Sequence, residues 1–188
     1  MMQKYNPKWG MGDIIIKDRT GEGVINDEDR TVIGNSIPRF TFGLNLGFEY
    51  KGFDFSCFFQ GVGKADGYVT MEAIQPMGIN GARKEHYKES FNPQDPKPGA
   101  YFPRILSSDY NYAYMSHWVQ DASYIRLKNL QIGYSFKIKG LNQLRVYASG
   151  ENLFTATKYR TWDPETPVGA RGFYPNVAVY SMGVNLNF

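Results

Sequence analysis

The sequence of 188 residues is long enough for one sizeable domain, and its 21 basic and 18 acidic residues leave a net charge of only +3. Such a balance gives no indication of nucleic-acid binding, and the single cysteine excludes an internal disulfide framework and a multi-cysteine metal cluster. Aromatic residues make up 16% of the chain and glycine is frequent, which favours strands and turns over helices. The start, MMQKYNPKWGMGD, has no apolar secretion segment, so the chain is either cytosolic or lacks its true beginning.

The first segment with a recognisable pattern is DRTGEGVINDED, residues 18–29. Calcium loops need oxygen ligands at positions one, three, five and twelve, a carbonyl at seven and a glycine at six. Those positions are held here by Asp18, Thr20, Glu22, Gly23, Val24 and Asp29. Thr20 and Glu22 stand where Asp or Asn is usual, and Asp29 is shorter than the usual Glu. The segment is therefore interpreted either as a weak calcium site or as an acidic surface turn with Gly21 and Gly23 in the left-handed region.

The first long strand is predicted within RFTFGLNLGFEY, residues 39–50, where apolar residues alternate with small or polar ones. Lys51-Gly52 is a tight hairpin signal, and the return strand continues the alternation from Phe53. Cys57 falls on the apolar side of this return strand. It is therefore predicted to be a small apolar residue and not a nucleophile.

A long irregular region, residues 63–120, follows, with one or two helical turns predicted over residues 82–90. His86 and His117 lie in different contexts and are interpreted as ordinary loop residues rather than a metal pair. The later part of the loop is crowded with aromatic residues, which either stack on sugars or pack the loop onto itself. The weak candidates for substrate contacts among them are Tyr110, Tyr112 and Trp118.

The third strand lies within VQDASYIRLKNLQIGYSF, and its alternation breaks phase in the middle. Leu130 and Ile132 share one parity, whereas Ile125 and Leu127 have the other. A bulge near Lys128-Asn129 would reset the alternation. Alternatively, the strand rises above the hydrocarbon so that Arg126 and Lys128 face polar headgroups, and this second explanation is favoured.

A fourth strand, LRVYASGEN, and a terminal strand, YSMGVNLNF, are separated by a loop over residues 153–176. Both short turns and the C-terminus then lie on one side of the sheet, and both long loops lie on the other. Outer-membrane barrels have this asymmetry, and strands of this length suit a tilted span of ~9–11 residues. The prediction is an all-β chain, an antiparallel up-and-down transmembrane β-barrel segment of about five long strands, forming an open sheet with long extracellular loops.

The blocks DRTVIGNSIPRFTFGLNLGFEYKGFDFSCFFQGV, WVQDASYIRLKNLQIGYSF and LRVYASGENLFTATKY resemble the C-terminal part of SusC/RagA-family TonB-linked outer-membrane proteins. The resemblance implies an extracellular loop over residues 1–38, which includes the degenerate calcium-like stretch, and a barrel part over residues 39–188. It further implies a complete barrel of about twenty-two strands with an N-terminal plug. Calcium is the one cofactor that the resemblance suggests.

The resemblance also implies a function and a location. Such proteins import oligosaccharides or peptides, driven by the TonB complex and covered by a SusD-like lipoprotein, in the outer membrane of Gram-negative, Bacteroidota-like bacteria. The chain has no plug and no TonB-contacting segment of its own, so it is interpreted as a C-terminal fragment that needs lipid and the rest of the barrel. No nucleic-acid partner is expected.

Two other functions have weaker support in the sequence. The alternative to a transporter is a soluble carbohydrate-binding or adhesion β module that uses the loop aromatics. An enzyme is not expected, because the carboxylates of the polar face lack a defined spacing for hydrolysis and are better explained as lining the lumen. Those carboxylates are Glu49, Asp54 and Glu151.

Overall fold

A computed structural model describes residues 7–69, 71–76, 81–96, 98–105, 109–166 and 174–188. The chain forms two compact units. One consists of residues 1–34 and 68–119, and the other of residues 35–67 and 120–188. Among the described residues, every helix is too short or too polar to cross a bilayer.

Long antiparallel strands dominate the second unit. The sheet has the order β1-β2-β5-β6-β7, and every neighbouring pair is antiparallel. The short strands β3 and β4 form a separate two-stranded sheet. The predicted all-β class with five long strands is therefore confirmed. The strand bounds are β1 Phe40–Tyr50, β2 Phe53–Gly63, β3 Asp66–Tyr68, β4 Val119–Asp121, β5 Tyr124–Phe136, β6 Gln143–Thr157 and β7 Val179–Asn187.

The predicted hairpin after β1 is present. Tyr50 pairs with Phe53, and the two turn residues, Lys51 and Gly52, have φ angles of 48° and 86°. Two successive positive φ values are typical of the type I′ turn, whose twist matches that of the flanking strands. Gly52 tolerates this conformation at no steric cost. The tight connection therefore fixes the register of the whole first hairpin.

The apolar residues form rows that cross the sheet. One row joins five strands through direct pairs: Phe48, Phe55, Ile132, Ala148 and Met182. Directly paired residues project on the same side, so the predicted apolar face is continuous from one edge of the sheet to the other. Phe48 is 55% exposed and Met182 is 91% exposed. This face is therefore largely uncovered in the chain by itself.

The phase break in β5 is a bulge. In β2, the neighbours Phe58 and Phe59 pair with Asn129 and Leu127, which leaves Lys128 as the extra residue of β5. The register with β6 shifts at the same place. Because an extra residue reverses the side on which the following residues project, Leu127 joins the apolar face, whereas Arg126 turns to the polar face.

The expectation that Arg126 and Lys128 face lipid headgroups is therefore wrong. Arg126 is only 2% exposed, and it pairs across the sheet with Gln60 on one side and Thr155 on the other. The sequence allowed both explanations because a bulge and a strand end produce the same break in alternation.

The first unit is built from short helices around an aromatic core. Its helices are the 3₁₀ segments Asp27–Asp29, Asp109–Tyr112 and Ser116–Trp118 and the α-helices α1 Met71–Ile74 and α2 Lys84–Glu89. The helical turns predicted over residues 82–90 correspond to α2. The most deeply buried side chains of this unit are Trp118, Ile74, His86, Val69 and Asn111.

Candidate functional site

The polar face of the sheet is the surface that carries the candidate chemistry. One of its rows runs across all five strands and contains only small or polar residues: Gly47, Ser56, Gln131, Ser149 and Ser181. The carboxylates predicted to line a lumen also belong to this face. Glu49 pairs directly with Asp54, and Glu151 pairs with Asn129. The sequence alternation therefore assigned these residues to the correct side.

An ion pair spans three strands on this face. Arg145 of β6 donates from Nη2 to Oδ1 of Asp54 in β2 at 2.5 Å, and from Nε to Oδ2 at 2.9 Å. Its Nη2 also donates to the Gln131 side-chain oxygen at 3.1 Å. Two parallel hydrogen bonds of this kind fix the relative orientation of a guanidinium and a carboxylate. The pair therefore ties β2 to β6 across β5.

Glycines make room for the long side chains of the polar face. A Cβ added to Gly133, which lies under the ion pair, would sit 2.5 Å from Asp54 Oδ2. A Cβ on Gly183 would sit 2.4 Å from the ring of Tyr147, and the Arg145 guanidinium lies 4.9 Å from the centre of that same ring. The small residues of the alternation thus provide space for side chains that lie flat along the sheet.

A second charged cluster lies at the other end of the polar face. Arg126 donates from Nη2 to Asp163 at 2.8 Å, from Nη1 to Glu165 at 2.9 Å and from Nε to the Thr155 hydroxyl at 2.8 Å. Lys128 donates to Glu165 at 2.8 Å. We call residues 161–166, which supply both carboxylates, the acidic strap. Two cations thus balance two carboxylates in a partly buried environment, and this pairing is the condition under which charges can be buried there.

Further neutral donors complete the environment of Glu165. The Tyr124 hydroxyl donates to its Oε1 at 3.0 Å, and Asn176 Nδ2 donates to its Oε2 at 2.6 Å. With Arg126 and Lys128, four side chains therefore converge on one carboxylate. Glu165 is the centre of the cluster.

A cleft of about 400 Å³ lies beside the cluster, within the same unit. Pro164, Glu165 and Thr166 of the acidic strap form part of its lining. Other lining residues come from the polar face of the sheet, namely Gln60, Val62, Tyr124 and Lys128, and from the segments before β1 and around β3, including Ser36 and Asp66. Its volume is at the lower end of the range for small-ligand pockets.

The calcium-like segment of the first unit uses its carboxylates to organise its own backbone. Asp18 accepts hydrogen bonds from the backbone N–H groups of Gly21 at 2.6 Å and Gly23 at 2.8 Å. Asp29 accepts from the backbone N–H groups of Arg19, Thr20 and Asn26 at 2.6–3.2 Å. Hydrogen bonds from Asn26, Arg19 and Thr20 hold the pKa of the Asp29 carboxyl below its ordinary value.

In this conformation, residues 18–29 do not form a metal centre. Within the described ranges, no group of three or more histidine, cysteine or acidic side chains is arranged to hold a metal ion. Glu22 accepts a hydrogen bond from the side chain of Asn26. Gly21 and Gly23 have φ angles of 78° and 85°, as the acidic-turn interpretation expects. The carboxylates of Asp18 and Asp29 would have to exchange backbone partners to ligate calcium, so calcium binding stays a prediction.

The loop aromatics pack inside the first unit. Trp118 is 0% exposed and Tyr112 is 2% exposed, and their rings are stacked 6.4 Å apart. The Tyr110 ring lies 4.4 Å from the Trp9 ring at an interplanar angle of 31°, and the Tyr110 hydroxyl donates to the Ile14 carbonyl at 2.8 Å. The burial of Tyr112 and Trp118 agrees with the alternative in which the loop packs onto itself. Substrate contacts by Tyr110, Tyr112 and Trp118 stay a prediction.

The two histidines hydrogen-bond to separate backbone carbonyls. His86 is fully buried, its Nδ1 accepts from the Arg83 N–H at 3.1 Å, and its Nε2 contacts the Ala73 carbonyl at 2.9 Å. This pattern requires the neutral tautomer with the proton on Nε2. His117 contacts the Tyr101 carbonyl at 2.9 Å. The prediction of two loop residues is wrong in placement, because His86 lies in α2 and His117 lies in the 3₁₀ segment Ser116–Trp118.

A bidentate ion pair that the sequence did not reveal holds the first unit together. Arg104 donates from Nε and Nη2 to the two oxygens of Asp13 at 2.7 and 2.6 Å, and Asn111 donates to the same carboxylate at 2.9 Å. Burial acts to raise the pKa of Asp13, but the hydrogen bonds from Arg104 and Asn111 outweigh it and the pKa is lowered. Sequence reasoning missed this pair and the Arg126 cluster because the partners are far apart in the chain.

Comparison with known proteins shows similarity to TonB-dependent receptors. No family model matches the chain. The chain is 34% identical over 201 residues to the "TonB-dependent receptor P3" of Formosa agariphila. This alignment covers 94% of the chain and 19% of that receptor. The chain is 27% identical to the "TonB-dependent receptor SusC" of Bacteroides thetaiotaomicron, over 91% of this chain and 17% of that receptor. The chain thus spans less than a fifth of the length of these relatives.

Solved structures give the same fold. The structure of the "RagAB peptide transporter" superposes with a TM-score of 0.67 at 24% identity, over 84% of this chain and 18% of that one. The "RagAB peptide importer in the 'open-open' state" superposes with a TM-score of 0.66, again over 84% of this chain and 18% of that one. At this identity the likeness shows the fold: the open five-stranded sheet matches part of such a barrel.

Proposed function

Since the chain is a relative of the TonB-dependent receptors of the SusC/RagA family, we propose that it forms part of the wall of an outer-membrane transport barrel. The observation that carries the proposal is the two-sided sheet. Five long strands share one apolar face and one polar face, and the rows of both faces cross every strand. In a membrane barrel the apolar side contacts lipid and the polar side lines the lumen.

The proposal assigns a side to individual residues. Phe42, Leu44, Phe55, Ile132 and Val184 contact lipid. Asn45, Asp54, Gln131 and Asn185 line the lumen. In this arrangement the Asp54–Arg145 pair lies on the wall of the lumen, where its charges remain hydrated or meet polar partners, and not in the hydrocarbon.

The sheet needs further strands to close. β1 and β7 form the two edges of the five-stranded sheet. Unpaired backbone groups in lipid each cost several kcal/mol, and the smallest single-chain barrels have about eight strands. The rest of a barrel, or other copies of the chain, must therefore pair with both edges. Lipid and these additional strands are the first partners that the function requires.

Transport in the complete protein would follow the family's arrangement. The cargo would be an oligosaccharide or a peptide, and a peptide is supported by the similarity to the RagAB peptide importer. A SusD-like lipoprotein and the TonB complex are the proposed partners. The chain is proposed to act in transport and not in catalysis, with calcium as a candidate structural ion at residues 18–29.

The membrane character of the chain is tested by fractionation of cells that produce it. A barrel segment is expected to require detergent for extraction. Recovery in the soluble fraction without detergent would instead support the carbohydrate-binding or adhesion module.

The dependence on the rest of the barrel is tested by reconstitution of the purified chain in liposomes with a labelled oligosaccharide or peptide. The chain alone is expected to show no specific uptake, because its sheet is not closed. Substrate-specific, energy-dependent uptake by this chain alone would contradict the proposal that it is one part of a larger transporter.

A further inference from the structure

Charged side chains of one strand, β5, bind the acidic strap, and Gln120 of β4 adds a hydrogen bond to the Thr161 hydroxyl at 3.1 Å. Arg126 and Lys128 of β5 bind the carboxylates of Asp163 and Glu165 at 2.8–2.9 Å. The side chains of Arg126 and Asp163 are 3% and 10% exposed, and those of Lys128 and Glu165 are 21% and 19% exposed. The attachment is therefore electrostatic and mostly shielded from water, which makes it strong only while every charge has its partner.

The strap is also a self-contained turn. The backbone N–H of Glu165 donates to the Asp163 side chain at 2.9 Å, and the N–H of Thr166 donates to the Asp163 carbonyl at 2.9 Å. It does not belong to any of the strands of the sheet. Its internal hydrogen bonds therefore survive a movement of the whole turn, whereas its ion pairs with β5 do not.

Movement of the strap would alter the adjacent cleft. Pro164, Glu165 and Thr166 line one side of the cleft, and Ser36 and Asp66 line other parts of it. Lys128, which binds Glu165, is itself a lining residue. The contact that holds the strap therefore also sets the width of the cleft.

We propose that the acidic strap is a latch: Arg126 and Lys128 hold Asp163 and Glu165 against the polar face, and weakening this cluster opens the cleft. The physical reason is the cost of an unpaired buried charge. If one cation is removed, a carboxylate left without its partner reaches water at a lower cost by moving the surface strap outward than by staying buried. Arg126 and Lys128 are thus positioning residues for this wall of the cleft. The proposal does not depend on the transport function.

The bulge in β5 is what makes the latch possible. Lys128 is the bulged residue, and the register shift turns Arg126 to the polar face. In a regular strand, Arg126 would share the side of Leu130 and Ile132, away from the strap. The bulge therefore brings two basic residues of one strand to the same carboxylate, Glu165.

The experiment measures the width of the cleft in the full chain purified in detergent micelles. Spin labels are attached at Ser36→Cys and Thr166→Cys in a Cys57→Ala background, and their distance distribution is recorded. A second pair, Asn45→Cys and Ser181→Cys, reports on the sheet alone. Arg126→Gln and Lys128→Met are each expected to shift the Ser36–Thr166 distances to longer values, while the Asn45–Ser181 distances stay unchanged.

The matched control is Arg145→Gln. It removes an ion pair of the same type from the same face, but the partner of Arg145 is Asp54 and not a residue of the strap. It is expected to leave the Ser36–Thr166 distribution unchanged. Widening by Arg145→Gln equal to that by Arg126→Gln would overturn the latch, because the effect would then be general loosening of the sheet.

A substitution at an exposed residue tests the latch without removing either of the two cations. Asn176 is exposed and donates to Glu165 at 2.6 Å, so Asn176→Asp places a like charge beside the centre of the cluster. It too is expected to lengthen the Ser36–Thr166 distance. If Arg126→Gln changes the Asn45–Ser181 distances, it no longer reports on the strap alone. The Ser36–Thr166 distances in Lys128→Met and Asn176→Asp then test the proposal. Unchanged strap distances in both would refute the proposal.

Discussion

Asp54 and Arg145 meet across an intervening strand, and the hydrogen bonds that join them pass over Gly133. A Cβ at Gly133 would lie 2.5 Å from the carboxylate and 2.7 Å from the guanidinium. The glycine is therefore a requirement of this ion pair and not only a feature of the alternation.

Gly133→Ala should displace the pair, because the methyl group occupies the space of the carboxylate. We expect a loss of about 0.5–1.5 kcal/mol of unfolding free energy, the usual net value of a hydrogen bond. The measurement is denaturant unfolding in micelles, with Gly47→Ala as the control. A Cβ at Gly47 makes only an ordinary contact of 3.4 Å, so its effect should be smaller.

A double-mutant cycle identifies the cause of this loss. If the methyl group acts through the ion pair, Gly133→Ala should cost less in an Asp54→Ala background than in the native chain. Equal costs in the two backgrounds would mean that the methyl group destabilises the strand by another route.

Leu44→Lys should destabilise the chain in a bilayer by ~2–4 kcal/mol if Leu44 lies near the middle of the membrane. The reason is the cost of a charge in hydrocarbon. The matched control is Asn45→Lys, one residue further along β1 and on the polar face, which should cost much less. Similar costs at the two positions, measured by reversible unfolding from vesicles, would count against opposite environments for the two faces.

The Asp13–Arg104 pair should make the first unit acid-sensitive. Because the folded state lowers the pKa of Asp13 from its ordinary 3.8, its stabilising contribution is complete above that value and is lost as the pH falls through the lower, folded pKa. Asp13→Asn should cost about 1.5–3 kcal/mol at neutral pH, the value of hydrogen bonds to a charged group, and should remove this part of the acid transition.

The measurement for Asp13 is tryptophan fluorescence during acid titration, since Trp9 and Trp118 are both buried in this unit. Asp27→Asn is the control, because the Asp27–Arg30 pair is almost completely exposed. If Asp27→Asn shifted the transition as much as Asp13→Asn, the effect would reflect net charge and not the buried pair.

Calcium binding at residues 18–29 should be weak, with dissociation constants no tighter than about 10⁻⁴–10⁻³ M, the range of extracellular calcium modules. Asp18 and Asp29 must give up backbone hydrogen bonds to ligate the ion. Titration calorimetry on the chain measures it, and Thr20→Asp should strengthen binding by adding a carboxylate at position three. An absence of heat in both proteins at millimolar calcium would leave only the acidic turn.

The sequence predicted the features that depend on local alternation. Period-two patterns in β1, β2 and β7 identify their faces, and Lys51-Gly52 identifies the hairpin, because neighbours in the chain determine both. The bulge at Lys128 was ambiguous, since its only local sign is the break in phase between Leu127 and Leu130.

The charged clusters could not be predicted, because their partners are distant in the chain. Arg126 and Asp163 are separated by 37 residues, and Asp13 and Arg104 by 91. The acidic pair within WDPETP and the basic residues at the phase break were visible, but the sequence contains nothing that relates one to the other. Burial of Trp118 likewise depends on packing with residues from several segments of the first unit.

The central claim is that the two faces of the sheet meet different solvents, and β1 tests it most directly. Nitroxide labels placed singly at residues 40–50, in a Cys57→Ala background reconstituted in lipid vesicles, report collisions with oxygen, which concentrates in lipid, and with a water-soluble nickel chelate. A period of two is expected, with oxygen collisions highest at Phe42, Leu44 and Leu46 and chelate collisions highest at Gly43, Asn45 and Gly47. A uniform profile, or the opposite phase with Asn45 in lipid and Leu44 in water, would contradict it.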